Sequence, residues 1–170
     1  PIASNIAAAP IRRSCRAARA ARPRPLRSVA REFVKTHPVR PFSQDFQFAR
    51  ALGLQMIERG DGRCTMAIDI ERERHFNPNG VAHGGVAYSL ADTSRGGALM
   101  GRVGDGRGWA ARGIKVNGHV GVREGLLTCE ATVLHQGKRI ANIDARLYQD
   151  GRLVSSANGN FAIFPIPSAQ

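Results

Sequence analysis

Apolar and polar residues alternate with a period of two through most of the chain after residue 50, and the alternation breaks once for a long stretch with helical spacing. The run Arg139 to Tyr148 sets Ala141, Ile143, Ala145 and Leu147 against Ile140, Asn142, Asp144, Arg146 and Tyr148. That pattern predicts a strand with one face in a core. Strands are likewise expected at Leu54 to Glu58, Arg63 to Ile70, Ala111 to Val122, Leu126 to His135 and Arg152 to Phe164. The turns between them fall at Gly60-Asp61-Gly62, Gln136-Gly137-Lys138 and Gln149-Asp150-Gly151, and Gly104 to Gly108 reads as a loop. A short helix is expected over Gln44 to Leu52, closed by Gly53. The helical break runs from about Val81 to Gly101, with Val86, Leu90, Thr93 and Gly97 on one stripe. Ala87, Ala91, Gly96, Gly97 and Ala98 make that helix thin enough to lie close to a sheet. Five or six antiparallel strands with one long helix is an α+β architecture.

Charge divides the chain. Its 170 residues carry a formal net charge of +12, but residues 1–40 hold nine Arg and one Lys against the single acid Glu32. Low hydrophobicity and one-signed charge predict a disordered basic extension over 1–40 and one domain over 41–170. The extension has no apolar core of a secretory signal. Its Arg-rich, acid-poor composition also suits a mitochondrial transit peptide, which would place the protein in the matrix, or an arm that meets nucleic acid or anionic lipid through charge. Residues 1–32 lack aromatic side chains for base stacking, and Pro23 and Pro25 interrupt any recognition helix, so nucleic acid is not the expected partner. Cys15, Cys64 and Cys129 are odd in number and far apart, and the last two sit in apolar runs, as expected of small core residues in a reducing compartment such as the cytoplasm. His37, His75, His83, His119 and His135 lack the spacing of a compact metal site, and no apolar run approaches the roughly 18 residues of a membrane span.

The chemistry concentrates in Asn77-Pro78-Asn79-Gly80-Val81-Ala82-His83-Gly84-Gly85, followed seven residues later by Asp92. An amide, an imidazole, two glycines and a carboxylate thus surround the start of the long helix. A helix N-terminus presents unpaired N–H groups and partial positive charge, and glycine lets a ligand oxygen approach them. Such a place polarises a carbonyl. His83 and Asp92 are nine residues apart, about 180° around a helix and about 13–14 Å along it. They are poorly placed to act on one bond within one subunit, whereas a two-fold dimer brings Asp92 of one chain towards Gly84 of the other. Asp92 stands in the middle of an apolar helix, where a carboxylate is costly unless hydrogen-bonded or functional.

The spacing of Asn77, His83-Gly84-Gly85 and Leu90-Ala91-Asp92 resembles the signature of hot-dog fold thioesterases, in the branch similar to the phenylacetate-pathway enzymes and the 4-hydroxybenzoyl-CoA thioesterase superfamily. The similarity runs from about Phe46 to Phe164. The resemblance implies a curved antiparallel sheet wrapped around one helix and hydrolysis of an acyl-CoA thioester without metal or redox cofactor. It also implies a composite site at a homodimer interface, with a tetramer of two dimers common. In that scheme Asp92 is nucleophile or general base, and Gly84 gives its N–H to the thioester oxygen with Gly85 allowing close approach. His83 orders the loop or bonds near the carbonyl, and Asn77 places the water or the carbonyl. Arg123, Lys138 and Arg139, at strand ends or turns, are candidate contacts for the phosphates of coenzyme A.

Two departures from the resemblance stand out. Ala111, beside Arg112, occupies a position where relatives often carry Ser or Thr, leaving Thr93 or Ser94 as nearby hydroxyls. Asn117 is followed by Gly118-His119-Val120-Gly121 rather than by an aromatic and a proline. The rival readings are a non-catalytic acyl-CoA sensing module, a hot-dog dehydratase or hydratase with a His base, and a charge-driven nucleic-acid binder resting on the arm.

Overall fold

The computed structural model describes residues 46–166. The expected basic extension over 1–40, and the part of the first helix before residue 46, lie outside the described residues. The elements follow in the order α1 (Gln47–Leu52), β1 (Gln55–Gly60), β2 (Arg63–Ile70), α2 (Arg72–His75), α3 (Gly84–Met100), β3 (Arg107–Gly118), β4 (Gly125–Gln136), β5 (Ile140–Gln149) and β6 (Arg152–Pro165). The six strands form one antiparallel sheet in the order β1-β2-β4-β5-β6-β3, with α3 packed on one face. This is the hot-dog architecture, α+β as expected.

Two of the hairpins are set by local chemistry. Asp61 and Gly62 have φ of 37° and 76°, and Asp150 and Gly151 have φ of 50° and 75°. Two consecutive residues with positive φ between the paired Gly60↔Arg63 and Gln149↔Arg152 make two-residue turns whose twist matches that of the strands. Inside, the alternation of β5 is realised: Ala141, Ile143, Ala145 and Leu147 are buried against α3 together with Met66, Ile68, Leu127 and Cys129. Each such Leu or Ile contributes about 1.5–3 kcal/mol by leaving water. The helix lies close because its small residues permit it. A Cβ on Gly97 would stand 2.7 Å from Cys64 Sγ and 2.8 Å from Met66 Cε.

Among the described residues, three boundaries differ from the sequence-based expectation by three residues or more. The long helix begins at Gly84 rather than Val81, because the preceding backbone is engaged in extended pairing: Ala82 bridges Phe76, the Ala82 N–H donates to Val122 O at 2.8 Å, and the His83 N–H donates to His75 O at 2.7 Å. β3 begins at Arg107 rather than Ala111, since Arg107 to Ala110 pair with Pro165 to Ala162. β3 also stops at Gly118, where His119 and Val120 both turn their N–H groups to Val154 O. The short helix α2 was not anticipated.

Candidate active site

The start of α3 is built around His83. Its Nδ1 accepts the Gly85 N–H at 2.9 Å, so the imidazole is the N-cap. Accepting at Nδ1 requires a ring without a proton there, which leaves Nε2–H as the donor of the neutral ring. A Cβ on Gly85 would come within 2.9 Å of that Nδ1, so the second glycine serves the cap. Gly84 is exposed, and a Cβ on it would meet nothing within 4 Å. Its N–H is among the four that a helix start leaves without an intrahelical acceptor. The first glycine therefore carries the open donor, while the second supports its geometry.

Asn77 holds the approach loop. Its Oδ1 accepts the Asn79 N–H at 2.9 Å, its N–H donates to Val81 O at 2.8 Å, and its carbonyl accepts from Gly80 at 3.1 Å. The Asn-Pro sequence is thus a side-chain-stabilised turn. His75, buried beneath it, accepts the Glu71 N–H at Nδ1 across 2.9 Å.

Asp92 sits two turns into α3, on the stripe shared with Tyr88 and Arg95. Its side chain is 35% exposed, yet Oδ1 is buried and makes no hydrogen bond within the protein. Burial pushes its carboxyl above the ordinary range, and the Arg95 guanidinium, 3.6 Å away, pulls it down. This stripe overlooks β3: Gly96 lies beside Trp109, and Arg95 reaches Gly113. β3 pairs with β6 on one side only, and from Ala110 to Gly113 its residues are exposed. Ala111 pairs with Phe161, and a bulge at Arg112 follows it. Thr93 is half-buried beside Asp92, whereas the Ser94 hydroxyl is buried and donates to Leu90 O at 2.7 Å, so it is committed to the helix.

The basic residues expected at coenzyme phosphates do not converge within one chain. The N-terminus of α3 lies at the Val122 end of the sheet, and its C-terminus lies at the Gln136 end, where Gln136 Nε2 donates to Arg102 O at 3.2 Å. Arg123 is at the first end, its backbone clamped by Gln149. Lys138 and Arg139 are at the second, roughly 40 Å away along β4. There Arg139 joins Arg107 and Arg112 around a groove of about 570 Å³ floored by Ile140, Ala162 and Phe164. From the sequence Arg107 was not singled out and Arg112 was noted only as the neighbour of Ala111, because only the pairing of β3 with β6 brings them beside Arg139. Nor were Tyr88 and Arg95 singled out, which share a helical stripe with Asp92 at offsets of four and three residues.

A six-stranded antiparallel sheet packed on a single long helix defines the hot-dog fold. A profile of the thioesterase superfamily matches residues 79–156. Among solved structures, the conserved protein PA5202 from Pseudomonas aeruginosa is 30% identical with a TM-score of 0.67, over 72% of this chain and 95% of that one. The E. coli PaaI protein from the phenylacetic acid degradation operon is 25% identical with a TM-score of 0.66, over 73% and 90%. A mutant of the thioesterase PA1618 from Pseudomonas aeruginosa is 25% identical with a TM-score of 0.68, over 72% and 89%. No curated protein gives a significant match. The chain belongs to the thioesterase superfamily, and its chemistry is thioester hydrolysis.

Proposed function

We propose that the protein hydrolyses an acyl-CoA, aryl or of short to medium chain, to coenzyme A and the free acid, in a site shared between two subunits. The observation that carries this reading is the placement of Asp92 and Gly84 on one helix. Asp92 lies 3.6 Å from Arg95, whose guanidinium reaches Gly113 on the edge strand β3, while the free N–H of Gly84 is about 12 Å away along α3. Antiparallel pairing of two β3 edges sets the two helices antiparallel and brings the N-terminus of one towards the carboxylate of the other. The exposure of β3 between Ala110 and Gly113 supports that edge as the contact.

The thioester oxygen accepts from the Gly84 N–H at the positive end of the helix, where the developing oxyanion is held more strongly than the ground-state carbonyl. The ionised Asp92 either takes a proton from the attacking water or attacks the carbonyl carbon itself, giving an anhydride that water then opens. In both routes the C–S bond breaks and the thiolate leaves as coenzyme A. His83 and Asn77 hold the loop that presents Gly84, Thr93 flanks the carboxylate, and no metal or redox cofactor takes part. Arg123 of one subunit, and Lys138 and Arg139 at the far end of the other, are the cations offered to the coenzyme phosphates. The test is thiol release from a panel of aryl and straight-chain acyl-CoAs by wild type and Asp92→Ala. A loss of about 10²-fold or more in the variant supports the reading. Activity that survives Asp92→Ala, or wild type that binds every acyl-CoA and cleaves none, overturns it.

A further inference from the structure

One turn past Asp92, α3 carries a charge that the fold encloses completely. The Arg95 side chain has 0% exposure. Its Nη1 lies 3.6 Å from Asp92 Oδ1, its Nη2 donates to Gly113 O at 3.4 Å, and its guanidinium stands over the Phe161 ring, 4.9 Å from the centroid. The space for it is made by Gly159 on β6. A Cβ there would come within 2.7 Å of Nη2 and would run into the Gly113 carbonyl. A buried guanidinium is costly, and an apolar side chain of similar volume fills such a place more cheaply. Here a glycine, an aromatic face and a backbone carbonyl from two strands are all given over to one cation, and the acid it faces is Asp92.

We propose that Arg95 is a positioning residue for the hydrolytic reaction: anchored on Gly113 and Phe161, it fixes the direction of the Asp92 carboxylate and holds it in its charged form. This rests on Asp92 being the reacting carboxylate. The surroundings agree. Burial lifts the Asp92 carboxyl, and Arg95 is the group that opposes it. Arg95 is itself pushed down by burial and sustained by Asp92, while Tyr88 on the same helix and Cys129 on β4 face it as groups that would add attraction only once ionised at high pH. Cys129 and Cys64, the latter on β2, have thiols pushed up to about 12 by burial and stay uncharged near neutrality. From β3 and β6 the groups against Arg95 are Gly113, Gly159 and Phe161, none of which titrates. Gly113 also follows directly on the Arg112 bulge, so the cation ties the carboxylate to the irregular part of the edge strand.

The experiment is the pH profile of kcat/KM and kcat for acyl-CoA hydrolysis by wild type, Arg95→Met and Arg95→Lys. In Arg95→Met the acid limb moves to higher pH and plateau kcat falls ~10-fold or more with KM little changed. Arg95→Lys keeps a charge and brings the limb back towards wild type, with kcat still reduced because an ammonium lacks the fork that spans Asp92 and Gly113. A purely structural Arg95 predicts less active enzyme at every pH with an unmoved acid limb, and that result overturns the proposal. Should Arg95→Met fail to fold, Arg95→Gln takes its place as the neutral variant: an acid limb moved to higher pH supports the proposal, and an unmoved limb overturns it. Asp92→Ala run in parallel separates the two levels. Its full activity sinks the reading of the site, whereas an inactive Asp92→Ala beside an unshifted Arg95→Met sinks only the role of Arg95.

Discussion

The Gly85 N–H donates to His83 Nδ1 across 2.9 Å, so the imidazole closes the helix that carries Asp92 and leaves the neighbouring Gly84 exposed at its first position. The two glycines therefore have separable duties, and substitution can tell them apart. Proline is tolerated at the first helical position and demands an extended residue before it. His83, at φ −62° and ψ 138°, already has that conformation. Gly84→Pro should keep the fold and remove only the open N–H. We expect kcat to fall about 10²–10³-fold with little change in melting temperature, measured by thiol release and thermal unfolding.

The pH dependence follows from the burial of Asp92. Its carboxyl is raised, and both routes to hydrolysis start from the ionised form. Activity is therefore full above the raised value and is lost as pH falls through it. The acid limb of kcat/KM should lie above the ordinary aspartate value of about 3.9. A limb at or below that value in a correctly folded enzyme counts against Asp92 as the titrating group.

Gly97 tests the packing of helix on sheet. A methyl there meets Cys64 Sγ at 2.7 Å and Met66 Cε at 2.8 Å. The methionine end can move, but the short cysteine side chain cannot. Gly97→Ala should cost about 1–3 kcal/mol in a denaturant titration, despite the better helix propensity of alanine.

Cys64 and Cys129 are buried, with thiols pushed up to about 12. The thiolate is the reactive form, so both should resist alkylation in the native protein and react on unfolding. Peptide mapping after iodoacetamide treatment, with and without denaturant, checks this. Labelling of either residue under native conditions would show that the core opens.

Much of this was legible in the sequence, for local reasons. Strands β2, β4, β5 and β6 followed from period-two alternation, and the Asp61-Gly62 and Asp150-Gly151 turns from residues that accept positive φ. What the sequence hid depends on partners distant in the chain. The start of α3 was read three residues early, because nothing local reveals that Ala82 bonds Val122 and His83 bonds His75. Arg95 was not singled out at all. Its enclosure depends on Gly159 and Phe161, more than sixty residues on, although an Arg three positions after the Asp and followed by two glycines was a usable hint. Arg123, Lys138 and Arg139 looked like one set because each sits at a turn. The antiparallel path of β4 sends them to opposite ends.

The central claim is that one active site draws on two chains, and mixed dimers test it most directly. Asp92→Asn and Gly84→Pro chains, each inactive alone, are co-expressed with different tags and the heterodimer is purified. One of its two sites then joins an intact Asp92 to an intact Gly84, and the other lacks both. We predict recovery of about half the wild-type activity per dimer. A purified heterodimer as inactive as either parent would place the site within a single chain and contradict the account.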